Sequence, residues 1–175
     1  HDARLAALAE IVNPKQIVKA TVDFIDIAGL VRGASKGEGR GNAFLSDIRD
    51  TNAVLHVVRC FNDEEVVHVD GSVDPIRDIQ TIETELILAD LDTVSKHREN
   101  ISRKAHADPK MRPALAAMEE LEKHLDAGNP ARTFMRDEAS PILEDCRQMR
   151  LLTDKPVIYV ANVGEVIGED WCLDF

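Results

Sequence analysis

Aromatic residues are scarce, at 4% of 175 residues, so aliphatic side chains must build any core. Basic residues are outnumbered, 21 Lys and Arg against 32 Asp and Glu, and the formal net charge is −11. That balance argues against broad electrostatic binding of nucleic acid, and no direct DNA binding is expected, although a local basic patch is compatible with it. No apolar run approaches the ~20 residues of a membrane-spanning helix, so no membrane partner is expected. The opening HDARLAALAEIV is too polar for a secretory signal. Cysteines number three, widely spaced and without a C-x-x-C, which supports neither a disulfide framework nor zinc and points to a reduced, cytoplasmic setting. What is present, 44% hydrophobic and 30% charged residues, is the mixture of one globular domain with room for an insertion.

Periodicity gives the outline. Leu5, Leu8, Ile11 and Val12 share one helical face, with Asp2 as a cap and Asn13-Pro14 as the stop. Lys19–Ala28 (KATVDFIDIA) reads as a buried strand, and a glycine-rich segment, Gly29–Gly41, follows. Asn42–Asp50 reads as a short helix and Ala53–Cys60 as a second strand, rich in β-branched residues. From Ile76 to about Ala105 there is neither proline nor glycine, and Ile79, Ile82, Leu86, Ala89 and Thr93 form a 3-4-3-4 seam. After Asp108-Pro109, Met111, Leu115, Met118, Leu121 and Leu125 continue at helical spacing to Gly128. The two segments predict an antiparallel helical hairpin. Asp137–Arg150 reads as a helix and Lys155–Ala161 as a third strand. Strands separated by helices indicate an α/β domain with the hairpin inserted into it.

Three motifs carry chemistry. Asp26-Ile-Ala-Gly29 follows a strand, where ligands of open α/β sheets sit. An Asp there can order the water shell of a phosphate-bound Mg²⁺, and Gly29 lets a backbone N–H approach a γ-phosphate; a structural strand end fits the same residues. The segment Gly33–Gly41 is neither a phosphate loop, since G-x-x-x-x-G-K-[ST] occurs nowhere in the 175 residues, nor a dinucleotide fingerprint, since its glycines are spaced G-x-G-x-G. Asn162-Val163-Gly164-Glu165 closes the last strand, where an amide and a carboxylate three residues apart can read a purine edge; an ordinary strand-to-helix turn is the other reading.

The string VDFIDIAGLVRGASKGEGRGNAFLSDIRDTNAVLHVVRCF, with KPVIYVANVGE, resembles the YchF/Obg-like ATPase subfamily of Obg-related P-loop NTPases. The resemblance implies a partial, Ras-like P-loop NTPase parallel sheet carrying a coiled-coil hairpin. The divisions are 1–74 (part of the nucleotide domain with switch II), 75–128 (hairpin) and 129–175 (the domain's continuation to its base-recognition motif). It implies ATP or GTP as ligand, with Mg²⁺, and the ribosome as partner of the hairpin. It assigns base recognition to Asn162, Val163 and Glu165 in N-x-x-E, replacing N-K-x-D, and the phosphate side to Asp26 and Gly29, with Asp26 reaching the metal through water. Leu30 stands where other GTPases place a water-orienting Gln, and His68 in VVHVD is the implied catalytic candidate, whereas His56 lies inside a strand pattern. The family's phosphate loop, switch I and C-terminal TGS domain have no counterpart in these residues, so the expectation is a fragment of a translation-linked nucleotide hydrolase, itself inactive, with a sheet lacking a central strand. The alternative is a non-catalytic module that binds the ribosome or a protein through the hairpin; a nicotinamide-binding enzyme is disfavoured by the missing fingerprint.

Overall fold

The computed structural model describes residues 3–27, 40–63, 71–134 and 142–164. Helix α1 (Ala3–Val12) forms where its periodicity predicts. It ends as Asn13 takes a left-handed φ of 44° and its N–H returns to the Ala9 carbonyl at 2.9 Å. The apolar face of α1 is little covered by the described residues: none of its residues is buried, and Ile11 is 80% exposed.

Helix α2 (Arg40–Arg49) leads to strand β1 (Val54–Arg59), which pairs in parallel with β2 (Val157–Asn162). The register runs from Val54 opposite Val157 to Arg59 opposite Asn162, and Cys60 N–H extends the ladder to the Asn162 carbonyl at 2.8 Å. The expected strand at Lys19–Ala28 is corrected: over residues 20–27 the chain forms no ladder, and Phe24 is 80% exposed. A strand persists through its inter-strand hydrogen bonds, and among the described residues nothing pairs with this segment on either side. Apolar patterning alone therefore does not make it a strand.

The hairpin is the best-built part. Helix α3 (Pro75–Ala107) starts with Pro75 in its first turn and Asp74 as cap, the carboxylate accepting from Arg77 N–H at 3.0 Å. A 3₁₀ turn (Pro109–Met111) reverses the chain into α4 (Arg112–Asp126), which ends at Gly128 with φ +81°. Ile87, Val94 and Ile101, seven residues apart, pack with Ala114, Met118, Leu121 and Leu125. The predicted seam is thus reassigned. Ile82, Leu86 and Ala89 face away from α4 and pack with Leu45 and Ile48 of α2 and with Leu152. Helix α3 carries two apolar stripes because it is shared between the hairpin and the α/β body, and the 3-4 spacing registered only one of them.

Helix α5 (Leu143–Met149) supplies Cys146 and Met149 to the hairpin core; the first part of its expected span, 137–141, lies outside the described residues. Cys60 and Cys146 are buried thiols outside any disulfide. No helix among the described residues is long and apolar enough to cross a membrane.

Candidate functional site

Because β1 and β2 are parallel and in register, their carboxyl ends emerge side by side. Arg59-Cys60-Phe61 leaves one strand and Asn162-Val163-Gly164 the other. This is the edge at which open α/β sheets bind ligands. Asn162 is exposed, and its side-chain amide has no hydrogen-bond partner among the described residues; Val163 beside it is 45% exposed. Across the edge, the Arg59 guanidinium lies 4.7 Å from the Phe61 ring centroid and its Nε donates to the Phe61 carbonyl at 3.0 Å. The two side chains share a face because they are two positions apart at a strand end. That i, i+2 pairing was a readable signal that the motif search passed over.

A cleft of about 1500 Å³ separates residues 21–27 from β1. Asp26 and Phe24 line one wall, Leu55, His56 and Val57 the other, and Ile82 of α3 also contributes. Adjacent strands normally lie about 4.8 Å apart; here the two segments are held apart and their backbones do not meet. His56 is half-buried, with its ring 5.7 Å from that of Tyr159. Burial lowers its pKa below the ordinary 6.5, while the charges of Glu83 and Asp78 work the other way.

Asp26 is exposed within the cleft wall, and Asn162 lies outside that lining, so the two candidate contacts belong to neighbouring features of one edge and not to a single pocket. Gly29, His68 and Glu165 lie outside the described residues. No group of three or more His, Cys, Asp or Glu able to hold a metal occurs among the described residues. One exposed carboxylate is a poor cage, yet it suits Mg²⁺, which keeps several waters and takes most of its other ligands from phosphates. Asp26 fits such an ion through its water shell.

Behind the edge lies a polar network that the motif search missed. Asp90, on α3, is fully buried, and its carboxylate accepts from Leu152 N–H at 2.8 Å, Thr153 N–H at 2.7 Å and the Thr153 hydroxyl at 2.7 Å. Thr153 Oγ1 also accepts from Ala131 N–H at 2.9 Å. Arg132 pairs with Glu83 and reaches the Thr153 carbonyl. Burial raises the Asp90 pKa against the opposing pull of these hydrogen bonds. An acid between Ala89 and Leu91 in an apolar run was the sequence signal, since such a group must find donors. The network fixes the loop that delivers β2 to the site.

A parallel strand pair flanked by helices, with polar groups gathered at its carboxyl edge, defines a partial P-loop NTPase α/β fold. The family described as 50S ribosome-binding GTPase matches residues 8–98, and the chain belongs to it. Relatives include the ribosome-binding ATPase YchF of Haemophilus influenzae, 46% identical over 165 residues covering 94% of this chain and 45% of that protein. The protein of the same name from Bacillus subtilis is 47% identical over 165 residues, covering 94% and 44%. The Schizosaccharomyces pombe YchF GTPase structure superposes with a TM-score of 0.73 at 39% identity, covering 94% of this chain and 45% of that one. The chain therefore spans about half the length of the curated relatives it matches.

Proposed function

We propose that this chain is part of a ribosome-associated, translation-linked protein that binds and hydrolyses ATP or GTP. In this reading, residues 1–74 and 129–175 contribute to the nucleotide domain and residues 75–128 form an inserted hairpin directed at the ribosome. Asn162, Val163 and Glu165 receive the base, and Asp26 and Gly29 serve the γ-phosphate and its Mg²⁺, which supplies charge neutralisation when bound. His68 acts on the attacking water, because Leu30 has no group that can orient or deprotonate it. The setting is the cytoplasm.

The observation that carries this reading is the exposed amide of Asn162, without a hydrogen-bond partner among the described residues, at the carboxyl end of a parallel strand. A strand-end Asn used only structurally would turn its side chain onto a neighbouring backbone group. The phosphate-loop pattern does not occur in these 175 residues, and phosphate-loop backbone and Lys supply much of the grip in P-loop proteins. Binding by this chain alone is therefore expected to be weaker than micromolar. Amide NMR with excess Mg²⁺-ATP, then Mg²⁺-GTP, tests the placement. Shifts should concentrate at Asn162, Val163 and Asp26 and disappear in Asn162→Ala; shifts confined to other surfaces would sink the assignment. At the length of the relatives, His68→Ala should slow hydrolysis by ~10²–10⁴-fold while nucleotide affinity holds. Unchanged turnover would leave His68 a loop residue.

A further inference from the structure

We infer that Arg49 and Lys155 are positioning residues: together they form a reciprocal clasp that sets the span between the base end and the phosphate end of one nucleotide site, without touching the nucleotide. The inference rests on the proposed placement of the base at Asn162 and of the phosphates at Asp26 and Gly29. It adds what holds those two ends in relation to each other.

The clasp joins a helix to the segment that feeds a strand. Lys155 stands two residues ahead of β2, and its Nζ donates to the carbonyl of Arg49 at 3.1 Å and to that of Thr51. Arg49 closes α2, and its guanidinium donates the other way. It reaches the carbonyls of Met149 at 3.3 Å and Arg150 at 3.4 Å, and Thr93 Oγ1 of α3 at 2.9 Å. Each cation thus binds the backbone of the segment that carries the other. Asp90 grips the same segment from α3, through the N–H groups of Leu152 and Thr153. Between Met149 and Lys155, carbonyls are held from one helix and N–H groups from another.

The segment is also strained where the clasp closes on it. Arg150 has a left-handed φ of 48° and ψ of 54°. A residue with a Cβ persists there only where its surroundings over-determine it; glycine would turn at no such cost. Its carbonyl is held by Arg49, and its own guanidinium by Asp50 at 3.0 Å. Helix capping explains part of this arrangement, because a cation suits the C-terminus of α2, where carbonyls lack partners within the helix. It does not explain why Arg49 leaves its own helix for the end of α5. Nor does it explain the expense at Lys155, whose pKa is lowered by burial first and by the Arg150 charge next, with Asp50 opposing. A lysine serving only as a surface charge would carry its ammonium to water.

The clasp lies far from the ligand edge. Only residues 50–53 separate α2 from β1, so the chain doubles back, and β1 runs parallel to β2. The start of α2, which follows the glycine-rich segment after Asp26 and Gly29 in the sequence, and the end of β2 at Asn162 are the ends opposite the clasp. Two stiff elements joined at one end fix the gap between their other ends. A nucleotide is two linked ligands, a base and a phosphate chain, and it gains from both only when that gap fits its length.

The test uses the protein at the length of its relatives and compares ligands that occupy one end with ligands that span both. Displacement of a fluorescent ATP analogue measures Mg²⁺-ATP, Mg²⁺-GTP, adenosine and inorganic tripolyphosphate. Arg49→Met and Lys155→Met should each weaken ATP or GTP by at least ~10-fold, part of the ~10²–10⁴-fold that linkage confers, while adenosine and tripolyphosphate stay within about twofold. Arg49→Lys keeps the charge without the fork and should show the same split at smaller size, which covers the case in which Arg49→Met does not fold. Met118→Ala, in the hairpin core, lowers thermal stability away from the clasp and should leave the split absent. Equal losses for all four ligands would make the clasp a support of the fold alone and overturn the inference, as would unchanged ATP and GTP affinity. One-ended ligands that fail to compete with the unaltered protein also overturn it, since the ends would not be separate grips. No binding of ATP or GTP by the unaltered protein removes the nucleotide reading itself, and the inference with it.

Discussion

The hairpin and the strand pair are built from similarly apolar residues and end in opposite states of completion. Between α3 and α4, Val94 and Met118 are 0% exposed and Leu121 and Leu125 1%. In the strands, Leu55 is 46%, Val57 58% and Ile158 58% exposed, and Ile11 of α1 and Phe24 are each 80% exposed. The hairpin's contacts come from segments joined by a three-residue turn, so closing it costs little chain entropy. The parallel pair joins residues about a hundred positions apart and needs cover on both faces, as parallel sheets do. Patterning states what a residue can bury. Only a partner decides whether it does.

The largest test of this contrast is a pair of truncations. Leu121→Ala should cost ~2–5 kcal/mol, the range for emptying a packed core site. Leu55→Ala should fall within about 0.5 kcal/mol, as surface changes do. Native-state hydrogen exchange reads both, and comparable losses would mean the strand faces are covered in solution. In the same experiment, α3 and α4 amides should be the most protected and the outer edge of β1 should exchange fast.

Next in size is Asp90→Ala. It strips acceptors from two buried backbone donors and one hydroxyl, and a loss of ~1–3 kcal/mol is expected, in denaturant titration. Hydrogen exchange should quicken at Leu152 and Thr153 before the hairpin core is affected. A uniform loss across α3 and α4 would instead make the carboxylate part of the hairpin's own fold.

A smaller effect is expected from pH and belongs to the sheet. The His56 pKa is lowered in the folded state, so above the ordinary 6.5 both states hold a neutral ring and the group is silent. As pH falls below that value, the unfolded chain takes up the proton first and the folded state loses ground until its own lowered pKa is passed. Relative to His56→Phe, the unaltered protein should therefore weaken on acidification from pH ~7 to ~5. A stability difference independent of pH would place the ring in water.

Local order was legible where the chain supplies its own partner. The helix over 112–126, the proline start at Pro75, the glycine stop at Gly128 and the strand ending at Asn162 all follow from side-chain chemistry acting within a few residues. The strand assigned to Lys19–Ala28 failed because a ladder is a property of two segments, and apolar patterning describes one. The seam through Ile82, Leu86 and Ala89 was correct as a buried stripe and wrong in its partner, since periodicity gives a direction and no address. The place of Asn162 at a strand end was readable. Asp90 was not read as important, because no short motif contains a carboxylate and the loop sixty residues on that it holds.

Asp90 sits near the middle of a helix 33 residues long. With a rise of 1.5 Å per residue, about 22 Å of rod extends to either side of it. A stiff rod held at its centre is a balanced lever, and the fulcrum here is bonded to the loop that opens β2. One arm runs to the turn at Pro109–Met111; on the other, Asp78 and Ile82 face the cleft beside β1. Any tilt imposed on the far end swings those two side chains in the opposite sense by roughly half to two thirds of that distance, with no change inside the helix itself.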